Sequence, residues 1–503
     1  MQTLPAVIHC SSPGRRVAPH RVHGLGFATI LVVAAGLGTA VGTGNNMVIG
    51  GLVAGVCFVG FALYPAAALF CLALAILFLN RWVSLGYLPH AIIWMPDLVL
   101  AALAMRFLAM RASRRTAFTA RRSVLWALAL LGALCTVSVV LNHSSIVEDF
   151  IGLRSYFRWP LIFLLTVMVG VSSRTMKRLL VLIVGMALVQ VPVTAFQFLQ
   201  NGGIHNFNSG TLVLSGTAEV FMMTMFSMAL LVAFAIHGRK PVIWGALAMA
   251  MFLPPLFGSV RAAVFIAPAF FALLLVCALA SKRHSRTASA VKVGAFAVVC
   301  AAVFFVWATP QSTIVGDNLR SIAAIGGVIA GESVGGSTTR AGRITAVREA
   351  SALISQSTTT RLVGFGPGST SVSALVSGQL NYTGGFDPRR SQVSATLVEL
   401  GYAGPLVLLA VFAALWFTLP RLSDDAEWFW SAVGWAAPMV VLFAALMLPY
   451  TAEWTNVSAA PFLLWMIVAA PFVRQRETQF ADRKGLNHCE THDAPAHAQN
   501  SER

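Results

Sequence analysis

The sequence predicts an all-α integral membrane protein with about 14 transmembrane helices and one large external loop that contains short helices. Hydrophobic residues make up 57% of the 503 residues and charged residues only 11%, whereas a soluble domain is about 25% charged. Apolar segments of the length that crosses a bilayer, about 17–25 residues, recur along the chain. Residues 308–392 form the one long internal stretch that is too polar for a membrane.

Each apolar segment is a candidate span, and the proline at Tyr64-Pro65 favours two short helices over one long helix. A single helix there would change the topology, so the count lies between about 12 and 14. We expect a cytoplasmic tail at residues 1–23 and then the first eleven spans in 24–307. The loop 308–392 follows, and three more spans lie in 393–474. Residues 475–503 are expected to be a disordered cytoplasmic tail. The candidate spans are 24–43, 47–63, 65–80, 91–109, 124–141, 157–171, 179–198, 211–236, 241–257, 262–280, 290–307, 393–418, 428–448 and 455–473.

The net charge of +17 is divided unequally between the two predicted sides. Basic residues collect in inner loops of membrane proteins, which explains most of this charge without a nucleic-acid partner. With the N-terminus inside, every lysine falls on the inner side, and the outer side carries only arginine. These outer arginines are Arg81, Arg154, Arg158, Arg261, Arg320, Arg340, Arg343, Arg348, Arg361, Arg389 and Arg390.

An outer face whose basic residues are all arginine indicates a binding site for an anion. The planar guanidinium group binds phosphate or carboxylate through two parallel hydrogen bonds, which lysine cannot do. We therefore expect a phosphate-bearing, lipid-linked substrate. The alternative is a composition that uses arginine for lysine throughout, and the Arg-rich inner segments favour it.

Two groups of arginines lie in predicted helices. Arg261 opens the tenth span as Ser259-Val260-Arg261, where a charge is costly unless it is paired or reaches the headgroups. Arg154 and Arg158 are four residues apart and so share one helix face. Pairing with Glu148 and Asp149, just upstream, is the alternative to substrate binding for this second group.

The long loop supplies the remaining candidates. Residues 343–355 form a predicted amphipathic helix that could lie on the membrane face, with Arg343 on its apolar side and Arg348 further along. Its apolar side consists of Ile344, Val347, Ala350 and Ile354. A glycine-rich turn, Gly364 to Gly368, follows and permits close approach of the backbone to a ligand, with Gly366 and Gly368 as candidate contacts.

The end of the loop delivers polar side chains to the start of the next span. These side chains are Asp387, Arg389, Arg390 and Gln392, and Glu399 follows about two turns later. An acidic residue in an apolar span is uncommon, although Glu399 could pair with a neighbouring arginine. No nucleotide-binding loop and no Cys/His metal spacing occurs, and we expect neither a cofactor nor a metal.

Three of these features, in this order, resemble the O-antigen ligase and polymerase family of membrane glycosyltransferases. They are Ser259-Val260-Arg261 at a helix start, an arginine helix followed by a glycine turn from Arg343 to Gly368, and RSQVSATLVELGYAG from Arg390 to Gly404, which resembles the family pattern HNxxLxxLxExG. The resemblance covers residues 258–418. Arg390 stands where ligases carry histidine, and Ser391 where asparagine is common, which favours the polymerase branch.

The resemblance implies a multi-pass protein of the bacterial inner membrane, with both termini in the cytoplasm. It would polymerise undecaprenyl-diphosphate-linked repeat units into O-antigen, capsule or exopolysaccharide, without a metal, beside membrane lipids, a chain-length regulator and a flippase. Arg261, Arg343, Arg348 and Arg390 would stabilise the diphosphate leaving group, with Glu399 or Asp387 as general base. The residues that would bind substrate are Arg154, Arg158, Gly366, Gly368, Asp387, Arg389 and Gln392.

Two other functions remain open, besides an O-antigen ligase that transfers the glycan to lipid A-core. A polysaccharide flippase or transporter would depend on the membrane acids Asp97 and Glu219. Against it, the sequence shows no internal repeat and no matched pair of broken helices. A purely structural assembly subunit would tolerate changes at both the arginines and the acids.

Overall fold

A computed structural model describes most of the predicted helical regions of the chain. The described residues are 46–112, 122–142, 145–201, 208–212, 216–238, 240–258, 266–267, 269–271, 273–274, 343–370, 372–373, 376–377, 388–420, 422, 425, 427–452, 454 and 459–490. The chain divides into two compact units, residues 1–60 and 61–503. Arg261 and Asp387, two of the predicted site residues, lie outside the described residues.

The regular structure of the described residues is helical apart from one two-residue antiparallel strand pair. The helices before the long loop are α1 Asn46–Leu63, α2 Pro65–Ser84 with a π-helical segment at Ala75–Leu79, α3 Met95–Ala112 after the 3-10 turn His90–Trp94, α4 Arg122–Asn142, α5 Ile146–Met168, α6 Ser173–Gln200, α7 Thr217–His237, α8 Pro241–Ala250 and α9 Leu253–Phe257. In the loop and beyond are α10 Arg343–Ile354, α11 Thr358–Val363, β1 Val372–Ser373, β2 Val376–Ser377, the 3-10 turn Pro388–Arg390, α12 Gln392–Leu400, α13 Ala403–Thr418, α14 Trp428–Leu446 and α15 Ala459–Glu490. The strands pair Val372 with Ser377 and Ser373 with Val376.

Seven of the described helices are long and apolar enough to cross a membrane. They are Pro65–Ser84, Ile92–Ala112, Arg122–Asn142, Ile146–Met168, Ser173–Gln200, Thr217–His237 and Trp428–Leu446. Gly50–Leu63, Pro241–Phe257 and Ala403–Thr418 are shorter apolar helices. This confirms a helical protein with membrane-type segments, whereas the total of 14 spans and the external position of the loop stay predictions.

The core of the second unit is built on α7 and the first half of α15. Both are apolar around their whole circumference, and nearly every residue of α7 from Glu219 to Phe234 is buried. Such a helix must be covered on all sides, and here α14, α8 and α15 cover α7. Aromatic contacts join these layers, for example Phe226 with Phe443 at 6.0 Å between ring centroids.

The outer helices expose apolar stripes. On α4, Trp126 and Leu130 lie on the same face as Val137 and Leu141, and all four side chains are exposed. On α13, Leu406 and Phe417 are also exposed. A soluble protein rarely leaves such continuous apolar surface open to water, so these stripes support burial in lipid.

Several predicted boundaries shift, each for a local reason. The predicted break at Tyr64-Pro65 is confirmed, because α1 ends at Leu63 and α2 begins at Pro65. The predicted span 393–418 is wrong as one helix: α12 stops at Leu400, and Gly401 adopts φ +64°, a left-handed conformation that ends the helix.

Three further helices differ from their predicted bounds. Helix α5 begins at Ile146 instead of 157, because the Ser145 hydroxyl accepts a hydrogen bond from the Glu148 amide and caps the helix. The predicted span 241–257 is divided into α8 and α9. Helix α15 continues to Glu490, so residues 475–490 are helical and not the disordered tail that the sequence predicts.

Contacts divide the second unit into two ends. At one end, the start of α6 meets α15 where the Ser173 amide donates to Glu477, and meets the residue before α14 where Lys177 pairs with Glu427. At the other end, the start of α3 meets the first half of α5 through Asp97 and Arg154. We call these the lysine end and the arginine end.

Candidate functional site

Helix α5 presents two different faces at the arginine end. Residues advance by about 100° per position in an α-helix, so Arg154 and Arg158 share one face while Gly152 and Tyr156 share another. The first face meets α3, and the second meets α12 and the glycine-rich turn. One helix therefore positions two separate groups of polar side chains.

The α3-facing group is an ion-pair cluster around Asp97. Arg154 donates from Nε to Asp97 Oδ1 at 2.8 Å and from Nη2 to Oδ2, while Arg158 donates from Nε to Oδ1 at 3.2 Å. The Arg154 guanidinium also lies 4.1 Å from the centre of the Trp94 ring. The predicted shared face is confirmed, and both arginines pair with Asp97 of another helix.

This cluster carries two cations for one carboxylate. Only 2% of the Arg158 side chain and 15% of that of Arg154 are exposed, so both charges depend on Asp97 for compensation. A partly buried guanidinium that loses its partner costs several kcal/mol. Asp97 is therefore a structural counter-ion for both guanidinium groups in this conformation.

Glu399 of α12 lies against the second face of α5. Its Oε2 accepts a hydrogen bond from the Tyr156 hydroxyl at 2.7 Å, and its Oε1 accepts from the Thr370 hydroxyl at 2.5 Å and the Thr370 amide at 3.4 Å. The side chain is buried. Within the described ranges no arginine forms an ion pair with Glu399, and its partners there are two hydroxyl groups and an amide.

The glycine-rich turn packs directly against protein backbone. Gly364, Gly366 and Gly368 adopt φ values of +70°, +107° and +91°, which side chains disfavour. A Cβ atom on Gly368 would lie 2.3 Å from the Glu148 carbonyl oxygen, and one on Gly152 would lie 2.1 Å from the Pro367 carbonyl carbon. The turn therefore approaches the backbone of α5 closely at Gly152 and Gly368, while the predicted ligand contact of Gly366 and Gly368 stays a prediction.

Hydrogen bonds join the same turn to α12. The Phe365 amide donates to the Val398 carbonyl at 2.8 Å, and the Gly366 amide donates to the Glu399 carbonyl at 3.1 Å. The Ser138 hydroxyl of α4 adds a bond to the Val363 carbonyl at 2.6 Å. The turn thus links α4, α5 and α12, and this linkage brings Thr370 to Glu399.

The loop that follows α14 contacts two more of the predicted site residues, Gln392 and Arg343. The Gln392 amide donates to the carbonyls of Leu448 at 3.0 Å and Thr451 at 2.8 Å, and its side-chain Oε1 accepts from the Trp454 amide at 3.2 Å. Arg343 donates from Nε to the Tyr450 carbonyl at 2.8 Å, and its guanidinium lies 3.8 Å from the centre of the Tyr450 ring. Tyr450 could not be assigned to this site from the sequence alone. The available signal was an aromatic residue at the end of an apolar span.

Helix α10 packs against α12. Ala350 and Ile354 form a buried cluster with Leu397 and Val398. Ile344, also predicted on the apolar side, lies outside this cluster and is 55% exposed. Arg343, predicted on the apolar side of this helix, contacts the carbonyl and the ring of Tyr450.

Four of the predicted arginines lie on two adjacent elements. Helix α10 carries Arg343 and Arg348 and packs against the 3-10 turn that carries Arg389 and Arg390. Arg348 and Arg389 are exposed, and Arg343 and Arg390 are half-buried. Among the described residues, no carboxylate pairs with Arg343 or Arg348, and no group of three or more His, Cys, Asp or Glu side chains could hold a metal ion.

We expect Gly152→Ala to destabilise the protein, because the new methyl group would collide with the backbone at Pro367. Overpacking of this kind costs about 1–3 kcal/mol. Gly185→Ala is the matched control, since Gly185 also lies inside a long helix but a Cβ atom there would have no other atom within 4 Å. Thermal unfolding of the purified protein in detergent should show a lower melting temperature for the first variant alone. Equal melting temperatures would contradict the close packing.

Substitution of Asp97 by Asn should destabilise the protein by about 3 kcal/mol, because it leaves two buried or half-buried guanidinium groups without their carboxylate. A second substitution, Arg154→Gln, should recover part of that loss in a double-mutant cycle. The Lys177–Glu427 pair serves as control: its side chains are 39% and 38% exposed, so breaking it should cost about 1 kcal/mol or less. Thermal unfolding measures both, and equal losses at the two pairs would contradict a structural role for Asp97.

The comparisons with known proteins leave the family of this chain open. No family model and no curated protein matches it. Its function must therefore be inferred from the residues and contacts described above.

Proposed function

We propose that this protein is a membrane glycosyltransferase that polymerises undecaprenyl-diphosphate-linked repeat units into O-antigen, capsular or exopolysaccharide. The observation that supports this most directly is the group of four arginines on α10 and the adjacent turn, Arg343, Arg348, Arg389 and Arg390. The reaction would take place at the periplasmic face of a bacterial inner membrane, with both termini in the cytoplasm. A flippase and a chain-length regulator would act beside it.

The proposed reaction transfers the growing glycan from one carrier to another. An acceptor hydroxyl oxygen attacks the anomeric carbon, the bond from that carbon to the diphosphate oxygen breaks, and the hydroxyl proton passes to a base. The leaving diphosphate gains negative charge, and positioned guanidinium groups can stabilise this charge without a metal. Arg261 would add a fifth guanidinium.

Arg343 is the best-positioned of these groups. The Tyr450 carbonyl and ring hold its guanidinium in place, and Nε is the nitrogen that bonds the carbonyl. The two terminal nitrogens are therefore available for a bidentate contact with a phosphate group. Because this position is set before substrate binds, little ordering remains to be done in the transition state.

The contacts of Glu399 favour a positioning role over a role as general base. Both of its oxygen atoms accept hydrogen bonds from Thr370 or Tyr156, and the side chain is buried. A general base must reach the proton that it removes, within about 3 Å or through one water. Asp387 remains the candidate base among the residues named from the sequence.

No specific observation favours either rival function. A flippase would use Asp97 and Glu219 for ion coupling, yet Asp97 pairs with two arginines and Glu219 accepts a hydrogen bond from the Ala459 amide at 3.4 Å. These contacts give both acids structural roles. A ligase shares the donor and the leaving group with a polymerase, so the fate of the glycan must separate the two.

The arginine-for-lysine exchanges Arg343→Lys and Arg348→Lys test the proposed diphosphate site. Each keeps the charge and removes the planar fork, so long polymer should fall at least about tenfold while single repeats accumulate. Arg361→Lys is the matched control, because Arg361 is exposed on the neighbouring helix α11 and its side chain donates to the Ser355 carbonyl at 3.3 Å. Lipid-linked and surface glycans from cells that lack the native gene are separated on gels.

The outcomes of that experiment separate the functions. Loss of long polymer with single repeats retained on lipid A supports polymerisation. If single repeats also disappear from lipid A, ligation is the better account. Parental glycan patterns from Arg343→Lys and Arg348→Lys, with normal protein levels, would overturn the proposed site.

Glu399→Gln should lower stability and polymer yield together, because an amide has one acceptor oxygen where the structure uses two. Loss of a buried hydrogen bond costs about 1–3 kcal/mol. Thr370→Val and Tyr156→Phe each remove one donor and should show the same parallel decline. Melting temperature and glycan pattern are measured on the same preparations. A Glu399→Gln variant with parental stability and no polymer would show that Glu399 acts as the base.

A further inference from the structure

The lysine end of the second unit contains a basic pocket of about 630 Å³. Its lining residues are Ser173, Arg174, Lys177, Arg178, Val181, Glu427 and Trp430. Three cations face one carboxylate, which leaves an excess of two positive charges. This pocket lies at the opposite end of α5 and α6 from the arginines discussed above, so a ligand here would be independent of glycan transfer.

Most of the cations at this end have partners within the protein. Lys177 pairs with Glu427 and lies 5.0 Å from the centre of the Phe429 ring. Arg474 pairs with Asp425 at 2.7 Å, and Arg476 donates to the Val171 carbonyl at 2.8 Å. These groups hold α6, α14 and α15 together.

Arg174 and Arg178 differ from these cations. Both are exposed, and in the part of the chain that the structure describes neither forms a hydrogen bond or an ion pair. They are four residues apart, so they project from the same face of α6. The first-turn amides do not define this site, because Ser172 accepts from the Thr175 amide at 3.2 Å and Glu477 accepts from the Ser173 amide.

The same face of α6 becomes apolar beyond Arg178. Val181, Val189, Phe196 and Leu199 continue it, and their side chains are 56%, 41%, 59% and 76% exposed. From Val181 to Leu199 the stripe is about 27 Å long at 1.5 Å per residue. This is close to the roughly 30 Å of hydrocarbon in a bilayer, which places the two guanidinium groups at the level of lipid headgroups.

We propose that this pocket binds the phosphate group of an anionic amphiphile, with the apolar chain along the exposed stripe of α6. Arg174 and Arg178 contact the phosphate oxygens, for which the guanidinium fork is suited. Lys177 adds positive charge from the wall, and buried Trp430 forms an apolar surface beside it. Cationic and apolar parts of one helix face thus match the headgroup and chain of an anionic phospholipid.

The test uses the full-length protein in uncharged detergent, titrated with phosphatidylglycerol, phosphatidylcholine or inorganic phosphate. Melting temperature and native mass spectrometry report binding. The Arg174→Gln/Arg178→Gln double variant removes the two cations. The matched control, Arg111→Gln/Arg122→Gln, removes two exposed arginines that are predicted on the same side and do not line the pocket.

Phosphatidylglycerol should raise the melting temperature of the parent and the control, and phosphatidylcholine should not. The pocket variant should bind phosphatidylglycerol at least about tenfold more weakly than the control variant, the smallest loss expected when a charge-assisted hydrogen bond is removed. If inorganic phosphate gives the same pocket-dependent shift, the phosphate site stands and its ligand is the free ion.

Equal responses to both phospholipids, or equal losses in the pocket variant and the control, would overturn the proposal in favour of general charge attraction. Should the double Gln variant not fold, Arg174→Lys/Arg178→Lys keeps the charge and removes the forks. That variant should bind phosphatidylglycerol at least about threefold more weakly, the size expected for a lost bidentate contact. Parental affinity there would exclude a specific phosphate site.

Discussion

The arginine end depends on the approach of the glycine-rich turn to α5 and α12 at backbone contact distance. Gly152 and Gly368 leave no room for a Cβ atom where they meet, and Gly364 lies equally close to the backbone of Glu399. This packing is what allows Thr370 to reach Glu399 while Tyr156 approaches from α5. A methyl group at any of these contacts would separate elements that are distant in sequence, because packed backbone cannot rotate away as a side chain can.

The division of α5 into two faces separates its polar groups by role. The carboxylate of Glu399 is satisfied by hydroxyl groups on one face, and that of Asp97 by guanidinium groups on the other. Neither acid remains available for proton transfer in this conformation. Arg343 and Arg348 of α10, by contrast, pair with no carboxylate in the part of the chain that the structure describes, so the proposed site rests on arginines and not on acids.

Much of the helical framework could be predicted from the sequence, because apolar segments and basic flanks are local properties. The shared face of Arg154 and Arg158 and the break at Tyr64 were likewise predictable from spacing and from proline. The pairing with Asp97 was not, since 57 positions separate it from Arg154 and only packing joins them. The glycine turn shows the same limit: its conformation follows from residue type, but whether a ligand or a helix occupies the adjacent space does not.

Arginines at the two ends differ in what holds them. Arg343 is fixed by the carbonyl and ring of Tyr450, whereas Arg174 and Arg178 extend from α6 without such support. A fixed guanidinium suits stabilisation of charge that develops during a reaction, because it needs no reorganisation at that moment. Side chains without such support suit adaptable contacts with a lipid headgroup, where charge is already present. The same residue type therefore suits the proposed stabilisation of the leaving group at one end and the proposed lipid binding at the other, with the local support deciding between them.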